Sequence, residues 1–175
     1  MSSEPSAARD AQPASRAAQV EAARTVALNQ LSTRDRSMAE LRRAVARRGV
    51  PQDVADEVLG RLAEVGLIDD AAFAEGLASS RMTHSLRGRH RIRQELTEKG
   101  VSREQAAEVL AQLDPQDEVD AARRFAEKRA RSMAGLERHV AYRRLGGALA
   151  RRGFPGHVVE QVLAEVFAEW GSANL

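Results

Sequence analysis

Arginine is the residue type through which this sequence could do chemistry. All of its 27 basic residues other than Lys99 and Lys128 are arginines, and the formal net charge is only +2. A GC-rich genome would produce the same preference, but the planar guanidinium group still pairs bidentately with phosphates and carboxylates. The composition therefore favours binding of an anionic partner, and it leaves open whether that partner is a nucleic acid or an acidic protein surface.

Two stretches, 76–94 and 138–159, are rich in arginine and contain no acidic residue. Further basic groups occupy 42–48 and 123–131. Such repeated positive charge along a folded chain is typical of surfaces that follow a polyanion. We predict that the contacts come from the two acid-free stretches, through Arg81, Arg87, Arg89, Arg91, Arg93, Arg143, Arg144, Arg151 and Arg152.

Helix ends offer a simpler explanation for part of this charge. Cations in the last turn of a helix interact favourably with its macrodipole, and Arg151 and Arg152 fall in such a turn of a predicted helix. The arginines of 87–93 instead begin a predicted helix, where the dipole disfavours cations. Because local electrostatics opposes this second arrangement, we expect 87–93 to hold the better candidates for function.

The sequence lacks the common motifs of catalytic sites. The sequence has no phosphate-binding GxxxxGK[ST] loop, no GxGxxG and no HExxH, and it contains no cysteine. Its four histidines are scattered, and a helix N-cap explains Asp69-Asp70 more simply than a metal pair does. We therefore predict a protein that is not an enzyme, with no catalytic residue, no metal site and no cofactor.

The elements that position these arginines are predicted to be helices only, because no stretch shows the alternation of a half-buried strand. The pattern is clearest in 37–62, where Ser37 and Glu40 form a capping box and Gly49 separates two amphipathic helices. Gly100 and Gly153 split two later helix pairs in the same way. We also expect Leu28 on the first helix, and Leu67 and Ile68 directly after Gly66, to be buried. Superposing the three glycines aligns apolar residues before and after them: Leu41, Ile92 and Leu145; Val45, Leu96 and Leu149; Val50, Val101 and Phe154; Val58-Leu59, Val109-Leu110 and Val162-Leu163.

This internal repeat predicts an all-α fold, an elongated array of three tandem three-helix repeats with helix-turn-helix-like units and nine helices in total. A unit of this size buries its apolar face only by stacking on a neighbour. We expect a disordered N-terminal tail over 1–16, repeats over 17–65, 66–113 and 114–170, and a short C-terminal tail over 171–175. Stacking uses the apolar faces, so we expect a monomer, and the lack of a long apolar run or signal peptide predicts a cytoplasmic protein without a membrane segment.

Several stretches of the sequence resemble the RecX family of bacterial regulatory proteins. They include Ser37-x-x-Glu-Leu, Arg-Arg-Gly-Val at 47–50, Gly-Leu-Ile-Asp-Asp-x-x-Phe-Ala at 66–74, and Leu-Ala-Arg-Arg-Gly-Phe at 149–154. Gly88-x-x-x-Ile92-x-x-Glu-Leu followed by Lys-Gly-Val at 99–101 belongs to the same set. The resemblance extends from about Ala23 to Phe167, although Gly146-Gly147 departs from the pattern of the third repeat.

The resemblance implies a function that composition could not name. Proteins of this family bind the RecA recombinase, lie in the groove of its DNA filament, and suppress ATP hydrolysis and strand exchange. The expected partners are therefore RecA and the RecA–DNA filament, with possible direct contact to DNA through the arginines named above. The alternative is an independent nucleic-acid-binding helical protein that acts by coating DNA.

Overall fold

The computed structural model describes residues 15–170 and contains nine helices and no strand within them. This confirms the predicted all-α fold. The expected tails 1–16 and 171–175 lie outside the described residues, apart from Ser15, which caps the first helix, and Arg16, which begins it. The helices are α1 Arg16–Leu31, α2 Met38–Ala46, α3 Gln52–Glu64, α4 Asp70–Thr83, α5 Arg89–Glu98, α6 Arg103–Gln112, α7 Pro115–Arg131, α8 Arg138–Arg151 and α9 Gly156–Glu169.

The three glycines that define the repeat all end a helix in the left-handed region. Gly49, Gly100 and Gly153 have φ of 73°, 88° and 86°. After Gly100, the Val101 N–H donates to the Leu96 carbonyl at 3.0 Å, which satisfies one of the carbonyls left open at the end of α5. A side chain with a Cβ rarely adopts this conformation, so these positions favour glycine.

The apolar residues aligned by the glycines form the core, as the superposition predicted. Residues eight and four positions before each glycine are completely inaccessible to solvent, and those that follow the glycines are also buried. Burial at equivalent positions means that each helix pair buries the same face. The fully buried set is Leu41, Ile92, Leu145, Val45, Leu96 and Leu149.

The described chain divides into two compact units. The first holds residues up to Asp35 together with Leu41–Ile68, and the second holds Arg36–Glu40 together with the residues from Asp69 onward. In the first unit α1 packs on α3, and the small side chains of Ala23 and Ala27 allow close approach. The second unit contains α4 to α9 around a continuous apolar core.

The segment Arg36–Glu40 joins the second unit through the turn that ends α5. The Ser37 hydroxyl donates to the Lys99 carbonyl at 2.6 Å, and the Lys99 ammonium lies 3.0 Å from the Glu40 carboxylate. The predicted capping box is present, since the Glu40 N–H donates to Ser37 and the Ser37 N–H donates to Glu40. A Cβ at Gly100 would overlap that of Ala39, so glycine is also needed here for close approach.

A related junction joins the start of α5 to the turn that ends α8. The Gly88 N–H donates to the Arg152 carbonyl at 3.0 Å, and the His90 N–H donates to the Gly153 carbonyl at 3.1 Å. A Cβ at Gly88 would run into the backbone of Gly153 and Phe154. The first N–H groups of one helix thus satisfy the last carbonyls of another.

Two predicted core positions are wrong. Leu67 was expected to be buried beside Ile68, but its side chain is 51% exposed whereas Ile68 is 5% exposed. Gly66 turns the chain at positive φ, and only the second of the two residues that follow reaches the core. Leu28 is also exposed, because the residues that α1 buries are Ala23 and Ala27, and Leu28 lies outside that buried face.

Candidate polyanion-binding surface

The nine arginines predicted to contact a polyanion fall into two classes in the structure. Some make hydrogen bonds and ion pairs that hold helices together, and the others lie on helix surfaces, exposed or, for Arg91, partly buried. All of them lie in the second unit. The distinction decides which of them have charge left for a partner.

Arg81 and Arg87 converge on the carboxylate of Glu95, which is 9% exposed. The Nε of Arg81 donates to Oε1 of Glu95 at 2.8 Å, and Arg87 donates to Oε2 of the same carboxylate. The Arg81 hydrogen bond is the main reason that the pKa of Glu95 lies below its usual range, and the positive charges of Arg87 and Lys99 also lower it. These contacts tie the end of α4 to α5.

Arg89 fixes the start of α5 to α6 and α7. Its guanidinium group donates to the carbonyls of Leu110 and Leu113, both at 2.7 Å, and its Nε lies 3.0 Å from the Glu118 carboxylate. The buried Glu118 also accepts the backbone N–H of Arg89 at 2.7 Å. The carboxylate therefore satisfies an open N–H at the first turn of α5 and compensates the cations that the dipole disfavours.

Arg152 also serves the fold. Its guanidinium carbon lies 4.7 Å from the centre of the Phe125 ring, and the group donates to the Ser85 carbonyl at 2.7 Å. We name Arg81, Arg87, Arg89, Glu95 and Glu118 the paired cluster. For the three arginines of this cluster and for Arg152, a contact with a partner stays a prediction, and the structure gives each of them a role in packing.

The remaining candidates are more accessible. Arg91 is partly buried and donates to the Gln94 side chain at 2.8 Å. Arg93 is exposed, and its guanidinium group has no hydrogen-bond or ion-pair partner among residues 15–170. Arg143, Arg144 and Arg151 are likewise exposed on α8, and their guanidinium groups have no such partner in the described chain. These arginines keep the capacity to bind an external anion.

The three arginines of α8 line one open groove of about 550 Å³ between α8 and the end of α7. Arg129, from the last turn of α7, joins them. The floor is aliphatic and is formed by Met133, Leu136, Val140 and Ala148, with Gly147 beside them. We name this feature the arginine groove, and no acidic residue of the described chain lines it.

Arg129 was not predicted to share a site with the α8 arginines. It belonged to a basic group, 123–131, that was noted without an assigned contact. The signal that could have found it is the position of Arg129 in the last turn of a helix that is followed directly by α8. Helices joined by a short connection pack as neighbours, so their facing side chains share one surface.

Neither a metal site nor a membrane span is present within the described part of the chain. No group of three histidine, aspartate or glutamate side chains there is arranged to hold a metal ion. The Asp69 carboxylate instead caps α4 by accepting the N–H groups of Ala71 and Ala72, as predicted. Among the same residues, no helix combines the length and the apolar character needed to cross a bilayer.

Comparison with known proteins identifies the family. Three family models match in succession, described as the first, second and third three-helix domains of RecX, over residues 23–62, 69–110 and 116–163. The regulatory protein RecX of Mycobacterium avium (strain 104) is 42% identical over 152 residues, which cover 85% of this chain and 87% of the relative. That of Amycolatopsis mediterranei (strain U-32) is 35% identical over 152 residues, or 87% of each chain.

A solved structure agrees with this assignment at the level of the fold. The crystal structure of RecX from Lactobacillus salivarius superposes with a TM-score of 0.78 at 22% identity, covering 87% of this chain and 99% of that one. The family models, the curated relatives and the nine helices of the described residues therefore agree. The chain belongs to the RecX family of regulatory proteins.

Proposed function

We propose that the protein is a cytoplasmic regulator that binds RecA and its DNA filament. It mainly inhibits the ATPase, recombinase and coprotease activities of RecA during DNA repair and the SOS response. The observation that carries this proposal is the match to all three RecX domains along the chain. The protein acts by binding, without a catalytic step of its own.

The exposed arginines support a filament as the partner. A nucleoprotein filament presents phosphates at regular spacing, and guanidinium groups without internal partners are free to pair with them. Arg93 on α5 meets this requirement, and Arg91 is only weakly engaged by Gln94. The arginines of α8 are also free to pair with an anionic group of the filament, on its DNA or on its protein. The paired cluster contributes indirectly, by holding α5 in place.

The proposal is tested by measuring ATP hydrolysis by RecA on single-stranded DNA at increasing concentrations of this protein. The wild-type chain should slow hydrolysis. The double variant Arg91→Ala/Arg93→Ala should need about tenfold more protein for half inhibition, which corresponds to about 1.4 kcal/mol of lost binding free energy. Absence of inhibition by the folded wild-type protein would exclude the proposed activity.

A matched control separates these contacts from a general loss of charge. Arg24→Ala/Arg103→Ala removes two exposed arginines whose guanidinium groups have no hydrogen-bond or ion-pair partner among residues 15–170, so the net charge changes by the same amount. This variant should inhibit like the wild type. Circular dichroism of both variants should match the wild-type spectrum.

The salt dependence of DNA affinity distinguishes the proposed function from the alternative, in which the protein only coats DNA. An independent DNA-binding protein would bind bare single-stranded DNA as tightly as it binds RecA filaments. Its affinity would fall steeply with salt, with a slope of about −0.7 per phosphate neutralised on a logarithmic plot. The proposed function instead requires tighter binding to the filament than to bare DNA at two salt concentrations.

A further inference from the structure

The arginine groove is a concentrated positive site without internal compensation. Its four arginines come from two helices, surround about 550 Å³ of open space, and share no carboxylate among the groove-lining residues. The paired cluster shows that this chain neutralises arginines where the fold needs them, through Glu95 and Glu118. Like charges brought together without compensation raise the local potential and favour the binding of an anion.

The residues at the floor of the groove indicate which class of anionic ligand it can bind. Met133, Leu136, Val140 and Ala148 are aliphatic, and no aromatic ring from residues 15–170 lines the groove. Tyr142, an exposed ring on α8, packs against Phe167 with ring centres 5.3 Å apart. Bases are held on single strands largely by stacking on aromatic rings, so this floor is poorly suited to bases.

An aliphatic floor between two helices suits aliphatic side chains of a helix. Amphipathic helices bind such grooves through apolar residues spaced three and four positions apart. The arginines at the rim would then meet carboxylates flanking that apolar stripe, in the bidentate geometry that guanidinium groups favour. Such a ligand would contact both the apolar floor and the basic rim of the groove.

We propose that the arginine groove binds an acidic amphipathic helical segment of a partner protein. This deepens the proposed function, because a RecA filament offers protein as well as DNA, and the groove would take the protein part. Gly147 keeps the floor accessible, since the nearest atom to a Cβ placed there is the Nη1 of Arg151 at 3.2 Å. A large side chain at this position would fill the groove without changing its charge.

The test uses the full chain and synthetic probes, without RecA. The first probe is a fluorescein-labelled peptide with leucines on one helical face and glutamates beside them, and the second has the same composition in scrambled order. The third is a labelled oligothymidine of equal negative charge. Fluorescence anisotropy should give about tenfold tighter binding of the amphipathic peptide than of the scrambled peptide.

Variants then separate the rim from the floor. Arg143→Gln/Arg144→Gln should weaken binding of the amphipathic peptide about tenfold, and Gly147→Leu should do the same by filling the floor. Binding of the oligothymidine should be unchanged by Gly147→Leu. Arg24→Gln/Arg103→Gln, with the same change in net charge, should bind all three probes like the wild type.

Three outcomes would overturn the proposal. Equal binding of the ordered and scrambled peptides, or no effect of Gly147→Leu on a folded protein, would mean that charge alone is recognised. Tighter binding of oligothymidine that is also lost on Gly147→Leu would assign the groove to nucleic acid. Thermal unfolding of each variant checks the fold, and inhibition of RecA by the wild-type chain is measured separately, so the proposed function and this inference fail independently.

Discussion

The paired cluster and the arginine groove are both rich in arginine, but they differ in where the matching negative charge lies. In the paired cluster, Glu95 receives Arg81 and Arg87, and Glu118 receives Arg89. In the arginine groove, Arg143 and its neighbours have no carboxylate partner within residues 15–170. The arginines of the paired cluster form ion pairs that join helices, whereas those of the arginine groove remain available to bind an external anion.

The difference shows that an acid-free stretch of sequence is a poor guide to free positive charge. Both regions lie in such stretches, 76–94 and 138–159. Glu95 comes directly after the first stretch, and its carboxylate accepts a hydrogen bond from Arg87, eight residues earlier in the chain. Glu118 is 29 residues from Arg89 and reaches it only through the packing of α7 against the earlier helices.

The largest expected effect comes from breaking the backbone junction beside the paired cluster. Gly88→Ala should lower the free energy of unfolding by about 3 kcal/mol, the upper end of what overpacking costs, because the added Cβ meets the backbone of Gly153 and Phe154. Urea unfolding followed by circular dichroism measures the change. Gly76→Ala, in the interior of α4 with open space around it, should instead be stabilising by up to about 1 kcal/mol.

Equal stability of these two alanine variants would contradict the view that the start of α5 is held rigidly. It would mean that α5 can move away from the turn after α8 at little cost. The arginines of the paired cluster would then be able to leave their carboxylates and reach a partner. The stability difference between Gly88→Ala and Gly76→Ala therefore measures how firmly the paired cluster is committed to the fold.

Removing the charge of Glu95 should have an intermediate effect that depends on pH. Glu95→Gln should cost about 1–3 kcal/mol at pH 7, because Arg81 and Arg87 lose an ionised partner. The pKa of Glu95 is lowered mainly by Arg81, so its stabilising contribution is present above the ordinary glutamate pKa of about 4.3. It is lost as the pH falls below that value and through the lowered pKa.

The measurement is the free energy of unfolding of wild type and Glu95→Gln between pH 7 and pH 3. The difference between them should shrink as the pH falls. Glu108→Gln, at an exposed position on α6, should stay within about 0.5 kcal/mol of the wild type at pH 7. A pH-independent difference for Glu95→Gln would show that the carboxylate acts through packing and not through its charge.

Most of the fold was predictable because it rests on local rules. Gly49, Gly100 and Gly153 mark helix ends by a conformation that favours glycine, and the apolar residues around them repeat at helical spacing. The predicted burial of Leu67 was wrong because tertiary packing decides which side chain of a connector points into the core, and this leaves no periodic signal in the sequence.

The candidate site was less predictable, for a physical reason. The helix dipole made the arginines that begin α5 the better candidates, and cations are disfavoured there. The dipole is a local effect, however, and Glu118 approaches Arg89 from α7 and removes that cost. Arg129 was missed in the same way, because membership of the arginine groove is decided by the packing of α7 against α8.

The smallest expected effect concerns the two glycines inside α8, and it tests whether the groove is open. Gly147→Ala should raise the free energy of unfolding by about 0.5–1 kcal/mol, because alanine is the better helix former and the exposed end of Arg151 can move aside. Gly146→Ala should gain less or be destabilising, since its Cβ would lie 3.2 Å from the Cδ1 of the buried Leu163. Thermal unfolding of both variants gives the comparison. If Gly147→Ala were the more destabilising of the two, the face of α8 that carries Arg143 and Arg151 would be packed and not open, and the distinction between the arginine groove and the paired cluster would fail.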